Sequence, residues 1–321
     1  MSRDHVSVSK MKTNGREISQ PYRNLTRRGL CFAFLLAASC LLSRSPLRNW
    51  AVFATTHDYG SHIFLVAPIS VYLIYLKRVQ VFSKAQSDVL PSSILFLTAG
   101  ALKWVAYTLN ERSSSDYLWL EIVALLLLWT AAFIVCYGMH AFRAASFPFF
   151  FLLLIVPAPD FLMQKAISSL QEGSAAVAFW LFKILNVPVF REGLVFHIPT
   201  LDLEIARECS GIRSSVVLLI TTLLLGEFLL RTFWSKTTLV LSLIPIVILK
   251  NGLRIVTISM LTIYVNRGFL YGWLHKSGGI VFYLLGLLAL VPMLKLLKTV
   301  EMRSMGLRPS VPSTKGMLVS K

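Results

Sequence analysis

The sequence predicts an all-α polytopic membrane protein with about eight transmembrane helices, an outer interfacial helix and a small extracytoplasmic β hairpin. Of its 321 residues, 55% are hydrophobic and only 15% are charged, whereas soluble domains contain roughly 25% charged residues. The apolar residues fall into runs, most of them close to the roughly 20 residues that cross a hydrocarbon core about 30 Å thick. Most basic residues stand beside these runs rather than within them, and the apolar run 237–265 is interrupted by Lys250, Asn251 and Arg254. Composition and patterning together therefore predict a chain embedded in the lipid bilayer.

Eight apolar runs supply the predicted spans. They lie near 29–43, 59–76, 91–108, 117–137, 144–158, 212–231, 237–265 and 277–297. Clusters of Lys and Arg flank the first and the last run, which predicts two cytoplasmic ends by the positive-inside rule. The predicted organisation is a disordered basic cytoplasmic tail, a transmembrane domain and a cytoplasmic C-terminal tail, with bounds 1–28, 29–298 and 299–321.

Two segments between the spans have a different character. Residues 161–187 follow the Pro-Ala-Pro-Asp break at 157–160 and mix polar residues with an apolar patch, which predicts a helix that lies on or dips into the outer interface. The pattern does not decide whether this helix crosses the bilayer. Residues 189–206 alternate apolar and polar residues, with Gly193 and Pro199 as breakers, which predicts two short strands. Five spans precede both segments, so we expect them on the extracytoplasmic side.

Several functional classes are excluded by the same reading. The formal charge of +17 does not indicate nucleic-acid binding, because the basic residues are divided between the two ends and the inner loops of a membrane protein. The chain has no His-Glu-x-x-His and no Gly-x-Ser-x-Gly motif, and its four cysteines lack metal-ligand spacing. The sequence therefore predicts no cofactor, no metal and no nucleic-acid partner.

Polar residues at the ends of three apolar runs are the candidate functional residues. A charged side chain near the middle of a bilayer costs about 2.5 to 3.5 kcal/mol on insertion scales, so an apolar chain retains few without a use. In the predicted topology, six such residues lie at the outer face. They are Glu208, Cys209, Arg213, Asn251, Arg254 and His275.

Cys209 is the candidate nucleophile among them. It immediately precedes a predicted helix, whose N-terminus favours a thiolate, and Ser210 and Gly211 permit a tight entry turn. His275 has the side chain most often used as a general acid or base, and Arg254 has the rigid donors that suit an oxyanion. Each residue taken alone is more simply explained by packing, helix capping or lipid contact.

Six short segments or single residues follow one another in the second half of the chain. They are Glu192-Gly193, Ile198-Pro199, Leu203-Glu204-Ile205-Ala206, the segment from Glu208 to Ser214, Asn251-Gly252-Leu253-Arg254, and His275. Together they resemble the exosortase/archaeosortase family of membrane cysteine transpeptidases, over roughly residues 145–295. Two positions depart from the family pattern, because Ile198 stands where Leu is common and Arg207 adds a cation before Glu208.

The resemblance implies a set of residue roles. Cys209 would be the nucleophile, Arg254 the transition-state stabiliser and His275 the general acid/base. Five further residues would support them, namely Glu208, Ser210, Gly211, Arg213 and Asn251.

The resemblance also implies a reaction and a location. Members of the family are thought to cleave a C-terminal sorting signal of exported proteins, a Pro-Glu-Pro-like (PEP-CTERM) motif followed by a transmembrane helix and a basic cluster. The expected protein is a multi-pass thiol protease of the cell inner membrane, found with exopolysaccharide production, whose active site faces the extracytoplasmic side. Its partners would be membrane-anchored proteins that carry the signal, and its intermediate a Cys thioester.

One alternative remains at this point, a non-catalytic membrane component of exopolysaccharide export or a transporter. It is motivated by the hydrophobicity of the chain and by Arg254, which is the kind of residue that lines a transport pathway. Transporters commonly show paired interrupted helices in two halves, and the sequence has no such symmetry. The sequence does not identify the sorting motif, the acceptor of the thioester or the oligomeric state.

Overall fold

The computed structural model describes residues 19–57, 60, 62–110, 116–198, 201–205, 210–266, 268 and 279–306. The chain divides into two compact units. The first contains residues up to Thr55 and Ile63–Pro157, and the second contains Thr56–His62 and the chain from Ala158 onward. The single transmembrane domain predicted for residues 29–298 is therefore built from two units.

The first unit is helical. Its elements are α1 (Ser19–Leu42), α2 (Arg44–Thr56, which ends in the second unit), α3 (Ile63–Leu76), α4 (Arg78–Phe82), α5 (Val89–Asn110), α6 (Asp116–Tyr137), α7 (Met139–Ala144), α8 (Ser146–Leu152) and a 3-10 turn at Leu153–Ile155. Phe32 on α1 packs edge-on against Phe133 and Tyr137 on α6. Lys103 on α5 and Glu121 on α6 form an ion pair at 2.6 Å, so each of these two charges has a partner within its apolar surroundings.

The second unit combines helices with a small sheet. Its elements are α9 (Asp160–Ile184), β1 (Phe190–Glu192), β2 (Val195–Ile198), β3 (Leu201–Glu204), α10 (Ile212–Leu229), α11 (Phe233–Leu241), α12 (Leu243–Tyr264) and α13 (Gly279–Ser304). The three strands form an antiparallel sheet in the order β1-β2-β3. One face of the sheet packs on α9 and α12 through the buried residues Phe182, Phe196, Ile205 and Val256.

The described part of the chain contains five helical segments that are long and apolar enough to cross a membrane, or up to seven if each of two bent helix pairs counts as one span. The five are Val89–Thr108, Tyr117–Tyr137, Ile212–Leu229, Phe233–Tyr264 and Gly279–Ser304. α3 is apolar but shorter. The protein is thus a mostly helical, multi-pass membrane protein, and the count of eight spans stays a prediction.

The predicted β hairpin is a three-stranded sheet. The prediction of two strands in residues 189–206 was wrong because Leu201–Glu204 forms a third strand, which pairs with Val195–Ile198 in antiparallel register. The helix predicted for 161–187 is present as the continuous helix α9, and its position at the membrane interface stays a prediction. The side of the membrane on which α9 and the sheet lie stays a prediction.

The helices at both ends of the predicted transmembrane domain are longer than the apolar runs. α1 begins at Ser19 rather than near residue 29, so residues 19–28 of the predicted disordered tail are helical. Proline is tolerated in the first turn of a helix, where its missing N–H is not needed, and Pro21 lies there. α13 continues to Ser304, beyond the predicted end at 298. The remainder of the predicted tails, 1–18 and 307–321, lies outside the described residues.

The prediction that Lys250, Asn251 and Arg254 interrupt the run 237–265 was also wrong. The break lies earlier, at Ser242, and α12 then continues without interruption from Leu243 to Tyr264. Polar side chains do not end a helix when neighbouring elements satisfy them, because the backbone hydrogen bonds of the helix are unaffected. Asn251 and Arg254 therefore project from within a helix rather than from its end.

Candidate functional site

Five of the eight candidate residues fall in the described part of the chain. These are Ser210, Gly211, Arg213, Asn251 and Arg254. Glu208, Cys209 and His275 lie outside it, so the placement of the proposed nucleophile and acid/base remains a prediction. The structure describes the residues that follow Cys209 and the helix that carries Arg254.

Gly211 opens α10 in a conformation that suits glycine. Its φ is 70° and its ψ is 13°, the left-handed region, and it is the N-cap residue of the helix. A Cβ at this position would also lie only 2.7 Å from Oδ1 and 3.0 Å from Cγ of Asn251. Ser210, fully buried, accepts a long hydrogen bond from the Ile212 N–H at 3.4 Å. The tight entry turn expected after Cys209 is confirmed for Ser210 and Gly211.

The carbonyl oxygen of Gly211 accepts three hydrogen bonds. The Ser215 N–H donates to it at 3.0 Å, the Ser214 hydroxyl at 3.0 Å and the Ser215 hydroxyl at 2.8 Å. A carbonyl with three donors has little freedom to rotate. The first turn of α10 is thus fixed by its own serines.

Lys250 reaches this turn from α12. Its side chain is buried, with 2% of the residue exposed, and its Nζ donates to the Ser214 Oγ at 2.5 Å. The sequence reading noted Lys250 only as a polar interruption of an apolar run. Its contact with a residue 36 positions earlier has no local signal in the sequence.

Asn251, the next residue, joins α12 to α9. Its Nδ2 donates to the Ser174 Oγ at 3.0 Å, and both residues are fully buried. One turn earlier on α9, the buried Gln171 donates through Nε2 to the Ile205 carbonyl at 2.9 Å. Ile205 is the last described residue before the segment 206–209. The polar face of α9, which the sequence reading did not single out, therefore holds both α12 and the end of β3.

Close helix packing maintains these contacts. A Cβ at Gly252 would lie 2.5 Å from Cγ1 of Val177, and Gly173 on α9 faces Ile248 on α12. Small residues on facing helices permit this close approach, which is a common way for membrane helices to associate. The registry of α9 against α12 places Ser174 opposite Asn251.

Arg254 lies one turn beyond Asn251 on α12, and its side chain is half-buried. Residues three apart on a helix share a face, so Arg254 projects from the side of α12 that contacts Gly211. Arg213 is exposed in the first turn of α10. The structure thus brings Ser210, Gly211 and Asn251 together, with Arg254 adjacent along the helix. Within the described ranges, no three His, Cys, Asp or Glu side chains are grouped as a metal site requires.

Comparison with known proteins identifies a family. The search of curated proteins and the search of solved structures each give no match. The family model for the transmembrane exosortase (Exosortase_EpsH) matches residues 49–292, which is more than half of the chain and includes every candidate residue of the site. With this match added to the ordered motifs and the helical membrane fold, the chain belongs to the transmembrane exosortase family.

Proposed function

We propose that this protein is an exosortase-type cysteine protease and transpeptidase. Its substrates would be exported proteins with a C-terminal sorting signal of the Pro-Glu-Pro type, cleaved through a thioester on Cys209. The observation that carries the proposal is the buried contact between Gly211 and Asn251. That contact attaches the turn after Cys209 to the face of α12 from which Arg254 projects.

The local structure supports a nucleophilic role for Cys209. Cys209 is joined directly to Ser210, and the turn formed by Ser210 and Gly211 opens a helix of 18 residues. The free N–H groups and the dipole at a helix N-terminus favour an anion nearby. Such an environment stabilises the thiolate, which is the form that attacks a carbonyl.

The proposed reaction follows from the residue types. His275 takes the proton from the Cys209 thiol, and the sulfur attacks the carbonyl carbon of the scissile peptide bond. Arg254 stabilises the oxyanion that forms. The carbon–nitrogen bond then breaks, the amine leaves with the proton from His275, and a thioester remains for a second nucleophile to resolve.

A membrane location assists this chemistry. A substrate that carries its own transmembrane helix is confined to the plane of the bilayer, with its scissile bond at a fixed depth. Such confinement supplies part of the positioning that a catalyst needs. The multi-pass helical fold is consistent with this arrangement, on the extracytoplasmic side of the inner membrane.

Replacement of Cys209 tests the proposal directly. In the native host, C209A and C209S should abolish processing of proteins that end in the sorting signal, with uncleaved precursor accumulating at unchanged enzyme levels. C40S is the matched control, because Cys40 lies within α1. The C40S variant should process substrate normally. Normal cleavage by C209A would show that Cys209 is not the nucleophile.

The alternative is a non-catalytic component of exopolysaccharide export or a transporter. The observation in its favour is that α12 carries the buried Lys250 and the half-buried Arg254 within an apolar helix, as pathway residues often are. C209A and R254A together discriminate between the two functions, because a transporter should tolerate C209A but lose export with R254A. A transpeptidase should lose processing with both.

A further inference from the structure

We infer that Lys250 is a positioning residue that holds the start of α10, and with it the Cys209 segment, through the hydroxyl of Ser214. The consequence for catalysis rests on the proposed function. The structural part of the inference rests on contacts within the second unit alone.

The first argument is the cost of placing a lysine at this position. Lys250 lies inside the segment Phe233–Tyr264, which is apolar enough to span a membrane, and only 2% of it is exposed. Burying an amine in apolar surroundings is unfavourable unless hydrogen bonds compensate. Leucine or methionine would fill the same space without that cost. The presence of the amine therefore indicates that its hydrogen bond serves a specific role.

The second argument is the direction of the hydrogen bonds. The Lys250 Nζ donates to the Ser214 Oγ at 2.5 Å, and the Ser214 Oγ in turn donates to the Gly211 carbonyl at 3.0 Å. The Ser214 hydroxyl has one hydrogen to donate. Because its oxygen accepts from the Lys250 Nζ, that hydrogen points toward the Gly211 carbonyl. The series of hydrogen bonds that starts at Lys250 therefore ends at Gly211, two positions after Cys209.

The third argument is the space made for the lysine side chain. It passes Gly286 on α13, where an added Cβ would lie 3.3 Å from the Lys250 Cδ and 3.0 Å from Cδ2 of Leu218. Any larger residue at position 286 would crowd this stem. Helices α10, α12 and α13 thus meet around Lys250.

The fourth argument is the neighbouring residue. Lys250 bonds Ser214 at one end of the first turn of α10, and Asn251 packs against Gly211 at the other end. Two consecutive residues of α12 therefore hold one turn at two points. That turn cannot rotate about the helix axis without losing one of these contacts, and it directly follows Cys209 in the sequence.

The test is a double-mutant cycle in the full-length protein, reconstituted with a substrate that carries the sorting signal. K250M keeps the length of the side chain and removes the hydrogen-bond donor. S214A removes the hydroxyl that links Lys250 to the Gly211 carbonyl. We expect each to lower kcat about tenfold at unchanged KM and protein level, because small misplacements of a reacting group lower rates strongly. The double variant should be no slower than either single variant, since each substitution breaks the same series of hydrogen bonds.

Two further variants serve as controls. S214T keeps the hydroxyl and should restore the rate that S214A loses. S259A removes another buried serine of α12, whose hydroxyl donates within its own helix to the Ile255 carbonyl, and should leave kcat unchanged. If the K250M protein does not accumulate in the cell, the comparison of kcat between S214A and S214T tests the inference instead. A wild-type rate in S214A, or a roughly hundredfold loss in the double variant, would overturn the inference.

A readout that needs no substrate separates this inference from the proposed function. In a background where Cys31, Cys40 and Cys136 are replaced by Ala, Cys209 is the only thiol, and its alkylation by N-ethylmaleimide can be timed. K250M and S214A should change that rate to the same extent, with S259A unaffected. If C209A still processes substrate, the proposed function fails, yet the alkylation rates still decide whether Lys250 positions the segment. Equal alkylation rates in all variants would contradict the inference.

Discussion

Asn251 on α12 occupies the space that a side chain at Gly211 would require. A Cβ on Gly211 would lie 2.7 Å from the Asn251 Oδ1, at a residue whose φ of 70° already favours glycine. Conformation and contact therefore both disfavour a side chain at position 211, in the turn that follows Cys209. This relationship links the start of α10 to the helix that carries Arg254.

The first prediction concerns Gly211. G211A should lower the free energy of unfolding by about 2 to 4 kcal/mol, because a left-handed alanine costs about 1 to 2 kcal/mol and crowding of Asn251 adds a similar amount. Thermal unfolding in detergent micelles measures this change. G306A is the matched control, since Gly306 has a φ of 69° and its added Cβ would meet no atom within 4 Å. Equal losses in the two variants would show that Asn251 does not restrict the turn.

The second prediction concerns the approach of α9 to α12. G252A should destabilise the protein by about 1 to 3 kcal/mol, the usual cost of overpacking, because its Cβ would lie 2.5 Å from Cγ1 of Val177. V177A in the same chain should restore part of the loss, because it removes Cγ1 and leaves only the Cβ of residue 177, 2.8 Å from the added Cβ. G100A on α5 adds a methyl group that meets nothing within 4 Å and should not destabilise. If V177A gives no rescue, the two helices do not meet at this pair.

The third prediction concerns Glu301 near the end of α13. Its carboxylate accepts the Arg231 N–H at 3.0 Å and the Thr232 N–H at 2.5 Å, and Thr232 is the N-cap of α11. E301A should cost about 1 to 3 kcal/mol, because it leaves donors at a helix N-terminus without their acceptor.

Two comparisons sharpen the Glu301 experiment. E301Q should lose less than E301A, since the amide retains one acceptor oxygen but no charge. E192A should change the unfolding midpoint little, because the Glu192 side chain is 81% exposed and such positions usually contribute within about 0.5 kcal/mol. A loss in E192A as large as in E301A would contradict a capping role for Glu301.

The long apolar helices were predictable because their signal is local. Segments such as Tyr117–Tyr137 and Gly279–Ser304 contain enough consecutive apolar residues to indicate a span without reference to any other part of the chain. The boundaries were less predictable. Ser19 begins α1 among basic residues, and β3 depends on pairing with β2, which alternation alone does not specify.

The candidate site was predictable only in part, for a related reason. Gly211 after Cys209 indicated a tight turn from residue type alone, and the structure confirms that turn. The roles of Ser174 and Lys250 depend on partners 77 and 36 residues away, so no periodicity in their own segments indicates them. The continuity of α12 through Asn251 agrees with the same contacts, because the side-chain Nδ2 donates to Ser174 on α9.

The last prediction concerns the two ends of α10. This helix contains 18 residues, which at 1.5 Å per residue extend about 27 Å and nearly cross a hydrocarbon core. The sheet that precedes it and the basic turn that follows it should therefore lie on opposite sides of the membrane. By the positive-inside rule, we expect the segment that contains Arg231 and Lys236 to be cytoplasmic and the sheet to be extracytoplasmic.

Single cysteines introduced by E192C and W234C test this arrangement in a background without native cysteines. Both positions are exposed, Glu192 in its side chain by 81% and Trp234 by 77%, so both should react with maleimides once reached. A membrane-impermeant maleimide should label E192C in intact cells and W234C only after permeabilisation. Labelling of W234C from outside would place the start of α10, and the Cys209 segment before it, on the cytoplasmic side. Substrate cleavage would then have to precede export, which is incompatible with the proposed extracytoplasmic active site.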